Sequence, residues 1–138
     1  MGIMNISQSF LKFIWNKHTE DVQADLYLKH LKTNITLPDE LEWYNAKKNK
    51  NFLNLKNQKW LPFNLKGITD MMILRKRYLE HMGQEIAGYK VIIELKKPEN
   101  IDSWSQFQMQ EELISANHWS NYNILVILTD LNDFWEFF

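Results

Sequence analysis

Cysteine is absent from this sequence, which excludes disulfides and thiolate metal sites and agrees with a reducing compartment. No apolar run approaches the ~20 residues a helix needs to cross a bilayer, so no membrane partner is expected. Met1 to Phe10 lacks the basic start and apolar core of a signal peptide, which points to an intracellular protein of the cytoplasm or nucleus. Gly-rich phosphate loops, a Gly-x-Ser-x-Gly elbow, internal repeats and low-complexity tracts are all missing. The four histidines (His18, His30, His81, His118) show no metal-ligand spacing with one another. One absence is local: from Trp43 through Thr69 there is no acidic residue.

What is present suits one domain, spanning 1–138, with an ample core: 45% of residues are hydrophobic and 14% aromatic. The net charge of −1 hides an asymmetry. Residues 1–66 carry 10 Lys/Arg against 6 Asp/Glu, and residues 67–138 carry 6 against 11. A phosphate-binding surface beside a metal-binding one would divide its charge in this way. Within the acid-free stretch, Lys47, Lys48, Lys50, Lys56, Lys59 and Lys66 alternate with Tyr44, Phe52, Trp60 and Phe63. Segment 47–66 is therefore read as a contact for nucleic-acid phosphates, with its aromatics packing inward.

Apolar residues at three- and four-residue steps predict a helix from Ser7 to about Thr33, with Thr19 marking a break or a second start. Leu41 to Tyr44 reads as a first strand. The central feature is a hairpin over Gly67–Lys96, its two β-prone runs separated by a segment carrying Gly83 and Gly88. Ser103 and Gln106 offer a capping box for a helix reaching Trp119, with Met109, Leu113 and Ala116 as its apolar stripe. Asn123–Leu128 is a buried strand by its continuous apolar run, and Phe134–Phe138 a last strand. An exposed edge there would allow a homodimer. The order predicts an α/β (α+β) fold, a mixed β-sheet with helices on both faces.

Chemistry concentrates at the hairpin's end. Side chains alternate along a strand, so Glu94 and Lys96 share a face, and Asp70 on the neighbouring strand can reach it. Two carboxylates and an ammonium there are costly unless a cation or substrate compensates them. Mg²⁺ takes one or two carboxylates and leaves room for water and phosphate oxygens. The plainer alternative is that Asp70 caps a turn while Glu94 and Lys96 form an edge-strand ion pair.

Asp70 followed by Glu94-x-Lys96 on the next strand, before a Gln-bearing helix, resembles the PD-(D/E)XK nuclease superfamily, with Thr69 where that motif has proline. The resemblance implies a restriction-endonuclease-like core, with an α-β-β-β-α-β order over nearly the whole chain. It implies Mg²⁺ (or Mn²⁺) held by Asp70, Glu94 and the Leu95 carbonyl, and Lys96 orienting the attacking water. It further implies supporting roles for Gln108, with Gln110 as competitor, and for a first-helix acid, Glu20 ahead of Asp21 and Asp25. The implied activity is hydrolysis of phosphodiesters in DNA, with RNA as the second substrate. The alternative is an inactive binding module of the same fold. More narrowly, Gly-x-x-Asp at 67–70, Glu94-Leu-Lys-Lys-Pro98, Gln108-x-x-x-Glu112-Leu-Ile-x-Ala-Asn117 and Leu128-Thr-Asp-Leu131 resemble the nuclease-like C-terminal domains of Crinkler-type effectors. That likeness adds a secreted effector to the expected localisations.

Overall fold

The computed structural model describes residues 11–48, 53–56, 58–65, 69–81 and 85–138. Five strands, β1 (Leu41–Asn45), β2 (Met71–Arg75), β3 (Tyr89–Leu95), β4 (Leu125–Thr129) and β5 (Trp135–Phe137), form one sheet in sequence order. Neighbours pair antiparallel except β3 and β4, which are parallel. A parallel pair needs a crossover, and helix α2 (Ser103–Trp119) supplies it. Helix α1 (Ala24–Asn34) precedes the sheet in sequence. The result is a mixed α/β architecture, a five-stranded mixed sheet with two helices.

Strand alternation decides which helix covers which face. Met72, Leu74, Ile92, Val126 and Leu128 turn to one side and pack with Met109 and Ala116 of α2. Met71, Ile73, Ile93 and Leu95 turn to the other and pack with Tyr27 and Leu31 of α1. Both faces being covered, β2 and β3 read as continuous apolar runs rather than alternating ones. Leu113 completes the expected α2 stripe from a half-buried position. Gly88 ends a 3-10 turn, Glu85–Gly88, directly before β3. A Cβ at Gly88 would lie 2.5 Å from the Tyr78 ring, so the close approach requires glycine.

The long first helix expected over 7–33 is not formed. Residues 1–10 lie outside the described part, and 11–16 have no regular structure. Their backbone is taken by the turn after β4 instead. Phe13 N donates to Asn132 Oδ1 (2.8 Å), Asn132 Nδ2 donates to Phe13 O (3.0 Å), and Trp15 Nε1 donates to Asp130 O (2.8 Å). Buried Gln23 ties the next turn, accepting from Asn16 N and donating to His18 O. A 3-10 turn over Asp21–Gln23 leads into α1, whose N-cap residue is Gln23 rather than Thr19 and makes no side-chain cap. Tertiary hydrogen bonds override the apolar spacing here.

The capping box of α2 is set one residue earlier than expected: Asp102 Oδ1 accepts from Ser105 N (2.9 Å), and Ser105 Oγ accepts from Asp102 N (3.0 Å). Within 47–66, Leu53, Leu55 and Leu65 take the core places, leaving Trp60 and Phe63 exposed rather than packed inward. Tyr44 does pack inward, while Lys50, Phe52 and Lys66 lie outside the described residues. Gly67 and Gly83 of the expected hairpin also lie outside them. No helix among the described residues is long and apolar enough to cross a membrane.

Candidate active site

Asp70 directly precedes β2, and Glu94 is the penultimate residue of β3. The register Met71↔Ile93 places them opposite each other at one end of the sheet. Both alternate in phase with Met72 and Ile92, so both rise on the α2 side. Asp70 and Glu94 are each 5% exposed. Asp70 Oδ2 accepts a hydrogen bond from Leu95 N at 2.8 Å, and its Oδ1 lies 2.7 Å from Lys47 Nζ. Glu94 Oε1 is approached by Lys96 Nζ and by Gln108 Nε2, each at 3.4 Å. The same Gln108 Nε2 donates to Glu112 Oε1 at 3.1 Å.

The four-residue step from Gln108 to Glu112 puts both on one face of α2, above the strand end. Glu112 is 1% exposed. Among the described residues, neither its Oε2 nor the Oε2 of Glu94 has a hydrogen-bond partner. These are carboxyl oxygens placed in a dry environment with fewer partners than a charged group needs. Burial first, then the Asp70 and Glu112 charges, push the Glu94 carboxyl well above its ordinary range. Burial pushes Glu112 up to about 8, against the hydrogen bond from Gln108. Burial also raises Asp70, although Lys47 and the Leu95 amide oppose it. Partial burial disfavours the Lys96 ammonium, but Glu94 and then Glu20 outweigh it and raise its pKa.

Asp70, Glu94, Lys96 and Gln108 are thus brought together as expected. Glu20 is not part of that group. Its Oε1 accepts from Lys97 N (3.1 Å) and Asn100 Nδ2 (2.9 Å), so it anchors the turn that follows Lys96 and acts on Lys96 only through its charge. Asp25 and Gln110 are exposed. Asp130 is a turn residue: its Oδ1 accepts from Asn132 N and Phe134 N. The plainer expectation for the triad also fails in part. β3 is an inner strand, and Asp70 bonds a neighbouring strand and a lysine rather than capping a turn.

Two participants go beyond the sequence expectation. Lys47, expected as a phosphate contact, pairs its ammonium with Asp70. Glu112 enters the sequence reading only within the Gln108-x-x-x-Glu112 pattern. Its one signal was the four-residue step to Gln108, which cannot by itself tell a buried carboxylate from an exposed one.

A divalent cation can be judged against this donor set. Two carboxylates across adjacent strands, one with an unpartnered buried oxygen, are hard oxygen donors suited to Mg²⁺ or Mn²⁺. Leu95 N points toward Asp70 while Lys96 N bonds Thr129 on the β4 side. Carbonyl and amide of one strand residue share an edge, so the Leu95 carbonyl faces the Asp70 edge. Among the described residues no three His, Asp or Glu side chains are grouped to hold a metal. The donors therefore fit an ion that keeps several waters or phosphate oxygens, and not a closed protein cage.

No family model matches the chain, and no solved structure does. Sequence similarity does extend to Crinkler effector protein 4 of Phytophthora capsici, 29% identical over 132 residues, or 91% of this chain. Crinkler effector protein 2 of Phytophthora infestans is 32% identical over 76 residues, or 54% of this chain. These stretches are 30% and 16% of the two proteins' own lengths, so the chain spans only a minor part of either. The similarity supports a Crinkler-like relationship.

Proposed function

We propose that this chain is a metal-dependent nuclease of PD-(D/E)XK type, carrying a restriction-endonuclease-like core within a Crinkler-like effector. The observation that carries the reading is the placement of Asp70, Glu94 and Lys96 at one end of adjacent strands β2 and β3, with Gln108 of α2 bonded to Glu94. The order α1, β1, β2, β3, α2, β4 agrees with the order that such a core implies.

Asp70, Glu94 and the Leu95 carbonyl would hold Mg²⁺ or Mn²⁺. The ion, when bound, polarises the scissile phosphate and lowers the pKa of water. The remaining work falls to the chain. Lys96, kept protonated by Glu94 and Glu20, orients the attacking water and offsets negative charge as it develops on the phosphate. Its raised pKa suits an electrostatic donor rather than a general base. Gln108 holds Glu94 in position, and Glu112 holds the Gln108 amide. Exposed Lys56 and Lys59 steer the DNA or RNA backbone without reading sequence.

One observation favours a second reading, a binding module that does not cut. Lys47 already neutralises Asp70 at 2.7 Å, so a cation must displace it. The deciding experiment incubates the purified protein with plasmid, single-stranded DNA and RNA, with Mg²⁺, Mn²⁺ or EDTA. Cleavage with metal and none in EDTA is expected. Binding without cleavage under every condition would favour the module, and cleavage in EDTA would remove the metal mechanism.

A further inference from the structure

Beside Lys96 and Gln108 lies a cleft of about 230 Å³, walled on its outer side by Trp104 in the first turn of α2. Trp104 is 73% exposed and stacks on Phe107, itself 49% exposed, with ring centroids 5.8 Å apart and planes 28° from parallel. The three-residue step along the helix places the two rings side by side. Two large aromatics stacked on each other and left in water form an apolar plate, of which Trp104 lines the cleft. Nothing in the core requires them there, because α2 buries its opposite stripe, Met109 and Ala116.

The cleft's other walls say what it would take. Glu99 and Asp102 line it and are exposed, so a phosphate in the cleft would be repelled. A planar, uncharged group would not be. The volume lies below the ~300–1,000 Å³ of drug-sized ligand pockets, which suits a single flat ring system. Lys96, beside which the reading above places the scissile phosphate, lines the same cleft.

We infer that Trp104 is a base-stacking platform and that the substrate is a single-stranded or locally unpaired nucleic acid, one base of which enters this cleft next to the bond to be cut. This inference rests on the nuclease reading of the adjoining site. A base inside a duplex is already stacked on both faces and cannot present itself to Trp104 without being unstacked. Stacking on an aromatic face is tolerant of base identity, so little sequence preference is expected. The choice between DNA and RNA is left to contacts with the sugar.

The experiment measures binding by fluorescence anisotropy in EDTA, using labelled oligonucleotides as single-stranded DNA, single-stranded RNA and duplex DNA. Wild type, Trp104→Ala and Trp104→Phe are compared, with folding checked by circular dichroism. Cleavage is measured separately with Mg²⁺ and Mn²⁺. Wild type should prefer single strands, and Trp104→Ala should weaken that binding about 5- to 150-fold, the range for losing one stacked base. Trp104→Phe should retain most of it, and duplex binding should not move. Whichever single strand, DNA or RNA, wild type binds more tightly identifies the substrate's sugar.

Equal affinity of Trp104→Ala and wild type for single strands would overturn the inference, even with cleavage intact. Preference of wild type for duplex would overturn it as well. Loss of single-strand binding in Trp104→Ala, with no cleavage by wild type under any metal, would sustain the platform and remove the nuclease. A Trp104→Ala change that alters sedimentation of the free protein and leaves binding unchanged would make the plate a protein contact, against the inference.

Discussion

The Lys47 ammonium sits 2.7 Å from Oδ1 of Asp70, joining the basic segment after β1 to the carboxylate just before β2. Lysine 47 also lies over the Tyr27 ring at 5.9 Å, so one side chain links α1, the sheet end and the candidate site. It holds the place that a cation on Asp70 would take. Removing it leaves a buried carboxylate with the Leu95 amide as its one hydrogen-bond donor among the described contacts.

Lys47→Ala should therefore destabilise the protein in EDTA by about 1.5–3 kcal/mol, the range for a hydrogen bond to a charged group. Saturating Mg²⁺ or Mn²⁺ should restore much of that loss, because the ion replaces the missing charge. Urea unfolding of wild type and variant, with and without metal, measures both effects. An equal deficit in EDTA and in metal would separate Lys47 from the cation site.

Stability should depend on pH through Glu112, whose carboxyl is raised by burial to about 8, and through Glu94, raised by burial and by Asp70. Between the ordinary glutamate range and about 8, the folded state holds protons that the unfolded chain has released. Stability in EDTA is thus greatest at the acid end of that window and falls as pH rises through it, by about 1.4 kcal/mol per unit for each proton retained. Glu112→Gln keeps the shape and removes the charge, so it should flatten the slope and be the more stable protein at pH 8. Urea titrations at pH 5, 6.5 and 8 would show it. An unchanged slope in Glu112→Gln would assign the effect elsewhere.

Lys96→Ala should lower the cleavage rate about 100- to 1,000-fold, or ~2.7–4 kcal/mol, with nucleic-acid affinity nearly kept. Asp70→Asn should fold and bind nucleic acid while losing cleavage, since the site loses a charged ligand. Binding, cleavage and circular dichroism measured on the same preparations separate these roles. Wild-type cleavage by folded Lys96→Ala and Asp70→Asn would place the chemistry at a different site.

Gly88→Ala should destabilise the fold by about 1–3 kcal/mol through overpacking against Tyr78. Thermal unfolding by circular dichroism measures it. No change in midpoint would mean that the Tyr78 ring yields without cost.

Local patterns carried the elements that alternation and helical spacing encode. The strands at Leu41, Met71 and Tyr89, the apolar run of β4 and the Met109–Ala116 stripe of α2 were legible, because burial of a face repeats at the period of its own backbone. So was the meeting of Asp70 with Glu94 and Lys96, which needs only a hairpin and strand parity. What depends on distant segments was not legible. Residues 11–16 take their path from Asn132 and Asp130, far along the chain, against their own helical spacing. Lys47 becomes the partner of Asp70, Glu112 becomes a buried carboxylate beside Glu94, and Trp104 is left as a bare plate over the cleft. Sequence periodicity assigns a side chain to a face. Whether that face meets water, a like charge or an opposite one is decided only when other segments close over it, and the chemistry of this site turns on that difference.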